Sequence, residues 1–268
     1  MIPNLTIIAI IFCILVCFGT PVALIIGFRV KKQMPLLPIL IGALSFFVTV
    51  MVIESAFHSV ILGLFPQIRK SVLLYTLYGA SAAGVFEESA RLLCFILIKK
   101  YSTKPQTVLT GISYGIGHGS FEAVVLVGLS MVSNLILALQ INLMGIDTLT
   151  SLMPGTAVSA LEQVYTALRD TPSLIFFYSG IERIAAIGAQ IALSVIMYHA
   201  VNTPKRKLLY PLAILLHMIL DVPAALYQVN SGISIDLTEI LTFVLAALIV
   251  GCAVLITQKS EIRNQKSE

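Results

Sequence analysis

The sequence predicts an all-α, polytopic integral membrane protein with about seven transmembrane helices, an eighth being the alternative. Of its 268 residues, 58% are hydrophobic and only 11% are charged, and the mean hydropathy is +0.98. A soluble domain would be about 25% charged. The composition therefore excludes a soluble globular domain, a disordered chain and a disulfide-stapled secreted module.

Seven apolar segments, bounded by charged or turn residues, are long enough to be transmembrane helices. A helix needs about 20 apolar residues to cross a hydrocarbon core of about 30 Å. The segments lie at about 3–28, 35–63, 72–98, 107–135, 172–201, 208–228 and 238–257. Together they predict one transmembrane helical domain over residues 1–258, followed by a short polar cytoplasmic tail over residues 259–268.

The region between the fourth and fifth segments is harder to assign. It is more polar over residues 136–171, and within it residues 156–168 are predicted to form either an interfacial helix or part of an eighth span. A break near Asn134 would divide the long region 107–145.

The basic residues indicate the orientation, because cytoplasmic loops carry an excess of Lys and Arg. With the N-terminus outside, four inner segments carry three basic residues each, twelve of the 17 in the chain, and the outer segments carry three. The inner ones are Arg29, Lys31, Lys32, Lys99, Lys100, Lys104, Lys205, Arg206, Lys207, Lys259, Arg263 and Lys266. We therefore expect an N-out, C-in protein. Since these charges are spread over short separate loops, we expect the lipid bilayer as a partner and no nucleic acid.

Several ionisable residues lie inside the predicted spans, where a charge is expensive and usually functional. The third span contains Glu87, Glu88 and Arg91, the fourth His118 and Glu122, and the sixth His217 and Asp221. At about 1.5 Å of rise per residue, Glu87 and His118 lie about 17 Å from the predicted cytoplasmic end and His217 about 14 Å. Three helices thus place acidic or imidazole groups at nearly one level.

Other ionisable residues have simpler interpretations. Glu54, His58 and His199 lie toward the ends of their spans, where we expect them to snorkel to water. Glu182 and Arg183 are expected to neutralise each other.

Helical spacing groups the deep residues further. Arg91 follows Glu88 by three residues and Glu87 by four, so it can reach both carboxylates. Tyr114, His118 and Glu122 share one face of the fourth helix, and a stripe of glycines at positions 111, 115 and 119 would let another helix approach closely.

These residue types suit a hydrolase that needs no serine or cysteine nucleophile. A glutamate and a histidine facing one water could activate it, and a second histidine could donate to the oxyanion that forms when a carbonyl is attacked. We expect no cofactor in this mechanism.

Three alternatives stay open. The first is a metal-dependent membrane hydrolase with zinc held by Glu87, His118 and His217, although no HExxH motif is present. The second is a proton-coupled transporter, in which intramembrane Glu and His relay protons. The third is a non-catalytic membrane binding protein.

Three short motifs resemble those of known membrane proteases. Glu87-Glu88-Ser89-Ala90-Arg91, Tyr114-x-x-x-His118 and His217-x-x-x-Asp221 are similar to the motifs of the CAAX prenyl protease type II and bacteriocin-processing superfamily of glutamic intramembrane proteases. Within it the pattern most resembles the YhfC family of membrane peptidases, and PrsW-type proteases are similar in the paired glutamates and the HxxxD. The resemblance spans about residues 80–225.

The resemblance implies an intramembrane endopeptidase of a bacterial cell membrane, acting on an unknown peptide or membrane-protein substrate. Glu87 would be the general base and His118 its partner in activating water. Glu88 and Arg91 would support them, and His217 with Asp221 would stabilise the oxyanion.

Two positions depart from the CAAX pattern. Two residues, not three, separate Glu88 from Arg91, and Asp221 replaces the usual Asn. An ionised aspartate cannot donate to an oxyanion, so Asp221 would instead be protonated or orient His217. Tyr114 replaces the usual Phe at the start of the second motif, and we expect it and Glu122 to contact the substrate.

Overall fold

The predicted all-helical fold class is confirmed. The computed structural model describes residues 1–265, and no β-strand occurs among them. The helices are α1 (Asn4–Lys32), α2 (Leu37–Phe46), a π-helical segment (Phe47–Glu54), α3 (Ser55–Leu64), a 3₁₀ turn (Pro66–Lys70), α4 (Val72–Tyr101), α5 (Val108–Glu122), a second π-helical segment (Ala123–Gly128), α6 (Leu129–Met144), α7 (Ile146–Ser151), α8 (Gly155–Asp170), α9 (Ser173–Asn202), α10 (Leu209–Gln228) and α11 (Ile235–Gln265).

All seven predicted segments are helical. Within the described residues, six helical stretches are long and apolar enough to cross a membrane. Helix α4 is not among them although it is 30 residues long, because charged residues interrupt its apolar sequence. The number of spans and the N-out orientation remain predictions.

The fourth predicted segment differs from the structure in two ways. The helical stretch extends over Val108–Met144, and helix α6 runs through Asn134 without a break. One amide side chain does not stop an apolar helix; the stretch ends where Gly145 adopts a positive φ of 82°, as glycine commonly does after a helix. The irregularity lies earlier, in the π-helical segment Ala123–Gly128.

Helix α8 corresponds to the segment for which an eighth span was the alternative. It has 16 residues, about 24 Å at helical rise, which is short for a hydrocarbon core of about 30 Å. Leu161 and Leu168 are buried while much of the helix is exposed. An amphipathic helix of this length favours the interfacial interpretation.

The chain forms two compact units. The first comprises Met1–Val22 and Ala123–Ile184. Two hydrogen bonds, at 2.6 and 2.9 Å, join the backbone of Ile2, whose side chain lies in the apolar core of this unit, to the side-chain amide of Asn142. The second unit comprises Ala23–Glu122 and the chain from Ala185 onward. Of the predicted tail, residues 259–265 continue α11, and residues 266–268 lie outside the described residues.

The glycine stripe of α5 brings the second unit's helices together, as the spacing predicted. A Cβ added at Gly111, Gly115 or Gly119 would lie 2.5–3.2 Å from a backbone Cα of α9. On another face of α5, Gly117 packs against the backbone of Ile39 in α2. Such close backbone approach is available only where no side chain intervenes. Helix α5 is thereby held between α2 and α9.

We expect Gly115→Ala to destabilise the protein by about 1–3 kcal/mol, because the methyl group would meet the backbone of Ile191 at 2.5 Å. Gly188→Ala is the matched control, since a Cβ at this helical glycine meets nothing within 4 Å. It should be neutral or stabilising. Reversible unfolding of the purified variants in detergent measures both, and equal stability of the two would contradict this packing.

Candidate active site

The residues predicted to meet at one level do converge. Helix α4 contributes Glu87, Glu88 and Arg91, α5 contributes His118, and α10 contributes His217. His118 Nε2 lies 2.8 Å from Glu87 Oε2, and His217 Nδ1 lies 2.8 Å from Glu88 Oε1. The five side chains therefore form one connected polar group, which we call the central cluster.

The central cluster is closed off from solvent. Glu88 and Arg91 have no exposed surface, His118 and His217 are 1% and 2% exposed, and Glu87 is 6% exposed. Charges in such surroundings interact strongly and must be met by protein groups. The loss of any polar contact in the cluster should therefore destabilise the folded protein.

The two adjacent glutamates have different surroundings. Glu88 Oε1 accepts hydrogen bonds from Arg91 Nη1 at 2.6 Å and from the His217 imidazole. Glu87 instead faces His118, with His217 Nε2 at 3.9 Å. The sequence had allowed Arg91 to reach both carboxylates; its ion pair is formed with Glu88. Glu88 is thus held as an anchor, and Glu87 faces the two imidazoles.

Gln190 of α9 joins the cluster, and the sequence analysis missed it. Its amide oxygen accepts a short hydrogen bond from Arg91, and its nitrogen donates to Glu122 Oε2 at 2.8 Å and to Glu87 Oε2 at 3.4 Å. Glutamine is not ionisable, so it does not stand out as a charge within an apolar segment. The available signal was an amide within the apolar stretch AAIGAQIALSVIM.

Glu122 lies closer to the cluster than its place outside the three motifs suggested. One ligand atom each from Glu87, His118 and Glu122 lies within 4.8 Å of the others. An imidazole with two carboxylates is a donor set that zinc accepts, and Gln190 supports one of the carboxylates as a neighbouring hydrogen-bond donor. His118 Nδ1 is buried without a hydrogen-bond partner. The set fits a metal ion, and it contains Glu122 where the sequence analysis had named His217.

Aromatic rings hold the His118 imidazole in place. The Tyr114 ring is stacked on it with centroids 6.0 Å apart, and the Phe46 ring meets it edge-on at 5.1 Å. Tyr114 is fully buried and packs against Phe95. Its contacts here position His118, and the expected contact with substrate stays a prediction.

Asp221 lies beside His217, as the HxxxD spacing predicted. Its Oδ2 is 3.6 Å from His217 Nε2, and its side chain is 34% exposed. Because Glu88 occupies Nδ1 of this imidazole, Nε2 is the nitrogen that faces Glu87 and Asp221. Whether Asp221 is protonated or orients His217 stays a prediction.

Glu54 and His199 do not snorkel to water as expected. Glu54 is 4% exposed and its Oε1 contacts His58 Nε2 at 3.2 Å, while His58 Nδ1 contacts the Tyr78 hydroxyl at 2.6 Å. His199 is 3% exposed and contacts Thr257 at 3.1 Å. Glu54 thus finds its partner one turn along its own helical stretch, and His199 finds one on α11.

Comparison with known proteins gives the family. The sequence model of the YhfC intramembrane metalloprotease family matches residues 12–242. The chain belongs to this family. It is also similar to the uncharacterized membrane protein YhfC of Bacillus subtilis (strain 168), with 34% identity over 238 residues, which cover 88% of this chain and 90% of that protein. No solved structure matches significantly.

Membership confirms part of the functional prediction. The protein is a multi-pass integral membrane protein of a family described as intramembrane proteases. The expectation of no cofactor is not supported, because the family is described as a metalloprotease family. The cluster of Glu87, His118 and Glu122 gives that description a physical counterpart.

We expect Arg91→Met to destabilise the protein by about 3–5 kcal/mol, because it removes one partner of a buried ion pair and leaves Glu88 with His217 alone. Adding Glu88→Gln should restore more than half of the loss, since the neutral amide needs no counter-ion. Arg69→Met, at an exposed arginine, is the control. Unfolding in detergent measures all three, and a double variant no more stable than Arg91→Met would contradict the pairing.

Proposed function

We propose that the protein is a metal-dependent intramembrane endopeptidase that hydrolyses peptide bonds of a membrane-associated substrate at the central cluster. The observation that carries this proposal is the grouping of Glu87, His118 and Glu122, whose ligand atoms lie within 4.8 Å of one another. A buried set of acids and imidazoles is costly for a membrane helix to maintain, so a structural role alone accounts for it poorly.

Glu87, His118 and Glu122 would hold the metal, and zinc is the ion that this donor set favours. When bound, such an ion activates a water molecule at neutral pH and polarises a carbonyl group. The family description supports this proposal over a centre without a cofactor.

His217 is suited to handle a proton or to donate to the oxyanion. Its Nδ1 is held by Glu88, which is itself held by Arg91, so the ring cannot turn without breaking a buried hydrogen bond. Nε2 then faces Glu87 and Asp221. A donor fixed in this way needs little reorganisation when charge develops on the substrate.

The direct contact between Glu87 and His118 favours a second mechanism for the same activity. The two groups are 2.8 Å apart, within range for sharing a proton. In this glutamic mechanism Glu87 takes a proton from water and His118 orients that water, as in the CAAX-like resemblance. Metal content separates the two mechanisms.

Glu87→Gln and His118→Ala should each reduce substrate cleavage at least about 100-fold, because both mechanisms need these groups. Cells producing each variant can be compared with wild type for new peptide termini in membrane proteins, using mass spectrometry. The control is Glu182→Gln, an intramembrane glutamate that pairs with Arg183 in the other unit.

Full cleavage by a folded Glu87→Gln variant would refute the assignment. If no new peptide termini in membrane proteins depend on the wild-type protein, the proton-coupled transporter or the non-catalytic binding protein would be favoured instead.

Purified wild-type protein should contain about one zinc ion per chain, and Glu122→Gln should lose most of it, because a carboxylate ligand is replaced by a weaker amide. Glu54→Gln, a buried glutamate outside the metal cluster, should keep the metal. Elemental analysis by mass spectrometry measures the content. Active wild-type protein without stoichiometric metal would overturn the metal-dependent mechanism and leave the glutamic one.

A further inference from the structure

A cavity of about 540 Å³ lies between α4, α9 and α10, and its lining includes none of the residues of the central cluster. Its volume is within the range of small-molecule sites in proteins, about 300–1,000 Å³. Leu92, Ile96 and Val201 line it with apolar surface, and three lysines, Lys99, Lys100 and Lys207, complete the lining together with Tyr210. We call it the lysine cavity.

The lysine cavity has a polar end and an apolar end. On α4, Ser89, Leu92, Ile96 and Lys99 recur at intervals of three or four residues and share one helix face. From Leu92, the first residue of α4 that lines the cavity, to Lys99 this face extends about 10 Å, roughly a third of a 30 Å hydrocarbon core. The apolar part therefore runs for less than one membrane leaflet beyond the lysines.

The lysines carry charge that the cavity does not neutralise. Lys99 Nζ donates to the carbonyl oxygen of Val201 at 2.7 Å, which fixes the ammonium group at the wall and leaves it further N–H donors. Lys207 is exposed. Among the described residues that line the cavity, none is acidic. A ligand with a negative head would complement this end.

We propose that the lysine cavity binds an anionic phospholipid, whose phosphate contacts Lys99 and Lys207 and whose acyl chain lies along Leu92 and Ile96. Basic pockets between transmembrane helices are known to bind anionic lipid headgroups. The apolar wall and the clustering of cations at one end suit a ligand with an anionic headgroup and an acyl chain. This binding is independent of the proposed peptidase activity.

The lysine cavity is connected by a hydrogen bond to the part of α4 that carries Glu88, the anchor glutamate. Tyr210, which lines the cavity, shares a hydrogen bond of 2.9 Å with Ser89, the neighbour of Glu88 in sequence. A lipid in the cavity would therefore lie alongside the part of α4 that forms the central cluster.

The test compares lipid retention in two double variants. Full-length protein is incorporated into bilayers of phosphatidylglycerol and phosphatidylcholine, transferred to mild detergent, and its bound lipids are counted by native mass spectrometry. Lys99→Gln with Lys207→Gln should bind phosphatidylglycerol about 30-fold more weakly than wild type. Lys31→Gln with Lys32→Gln removes two charges from the same predicted face but outside the cavity, and should bind as wild type does.

Gln at position 99 can still donate to Val201, so the fold should be preserved. If the variant misfolds, competition in the wild-type protein decides: phosphatidylglycerol should displace phosphatidylcholine. Equal retention of the two lipids by wild type, no loss in the cavity variant, or the same loss in both double variants would each overturn the proposal.

Discussion

Arg91 and Glu88 form an ion pair with no exposed surface, and the arrangement of the central cluster depends on it. Water cannot reach either charge, so protein groups from other helices must complete their hydrogen bonds. Gln190 of α9 meets Arg91, and His217 of α10 meets Glu88. Three helices are thereby held at one depth by contacts that are expensive to break.

With Glu88 held by this ion pair, Glu87 faces the imidazoles of His118 and His217. Adjacent residues on a helix point in different directions, about 100° apart, so two neighbouring glutamates can meet different partners. Glu88 is turned to Arg91, and Glu87 toward the helix that carries His118 and Glu122. The glycines of that helix, α5, hold it against α2 and α9. The chain has few charged residues, and several of those that are buried lie together in the central cluster.

Much of the site could be predicted because lipid penalises isolated charge. Depth along each apolar segment placed Glu87, His118 and His217 at one level, and the structure brings these three together. Gln190 could not be found in this way, because its amide is uncharged and does not carry the penalty that lipid imposes on an ionised group. The burial of Glu54 was also missed, since distance from a helix end says nothing about whether a neighbouring helix covers the side chain.

The sequence by itself determined the all-helical membrane fold, the long apolar helices and the residue types available for catalysis. These follow from composition and from periodicity along single helices, which are local properties. Only the tertiary structure decided which glutamate pairs with Arg91, that Glu122 rather than His217 lies with Glu87 and His118 in the group that could hold a metal ion, and that Gln190 contacts both Arg91 and Glu122. Those choices depend on how helices rotate and approach one another, and that is set by packing between residues far apart in the chain.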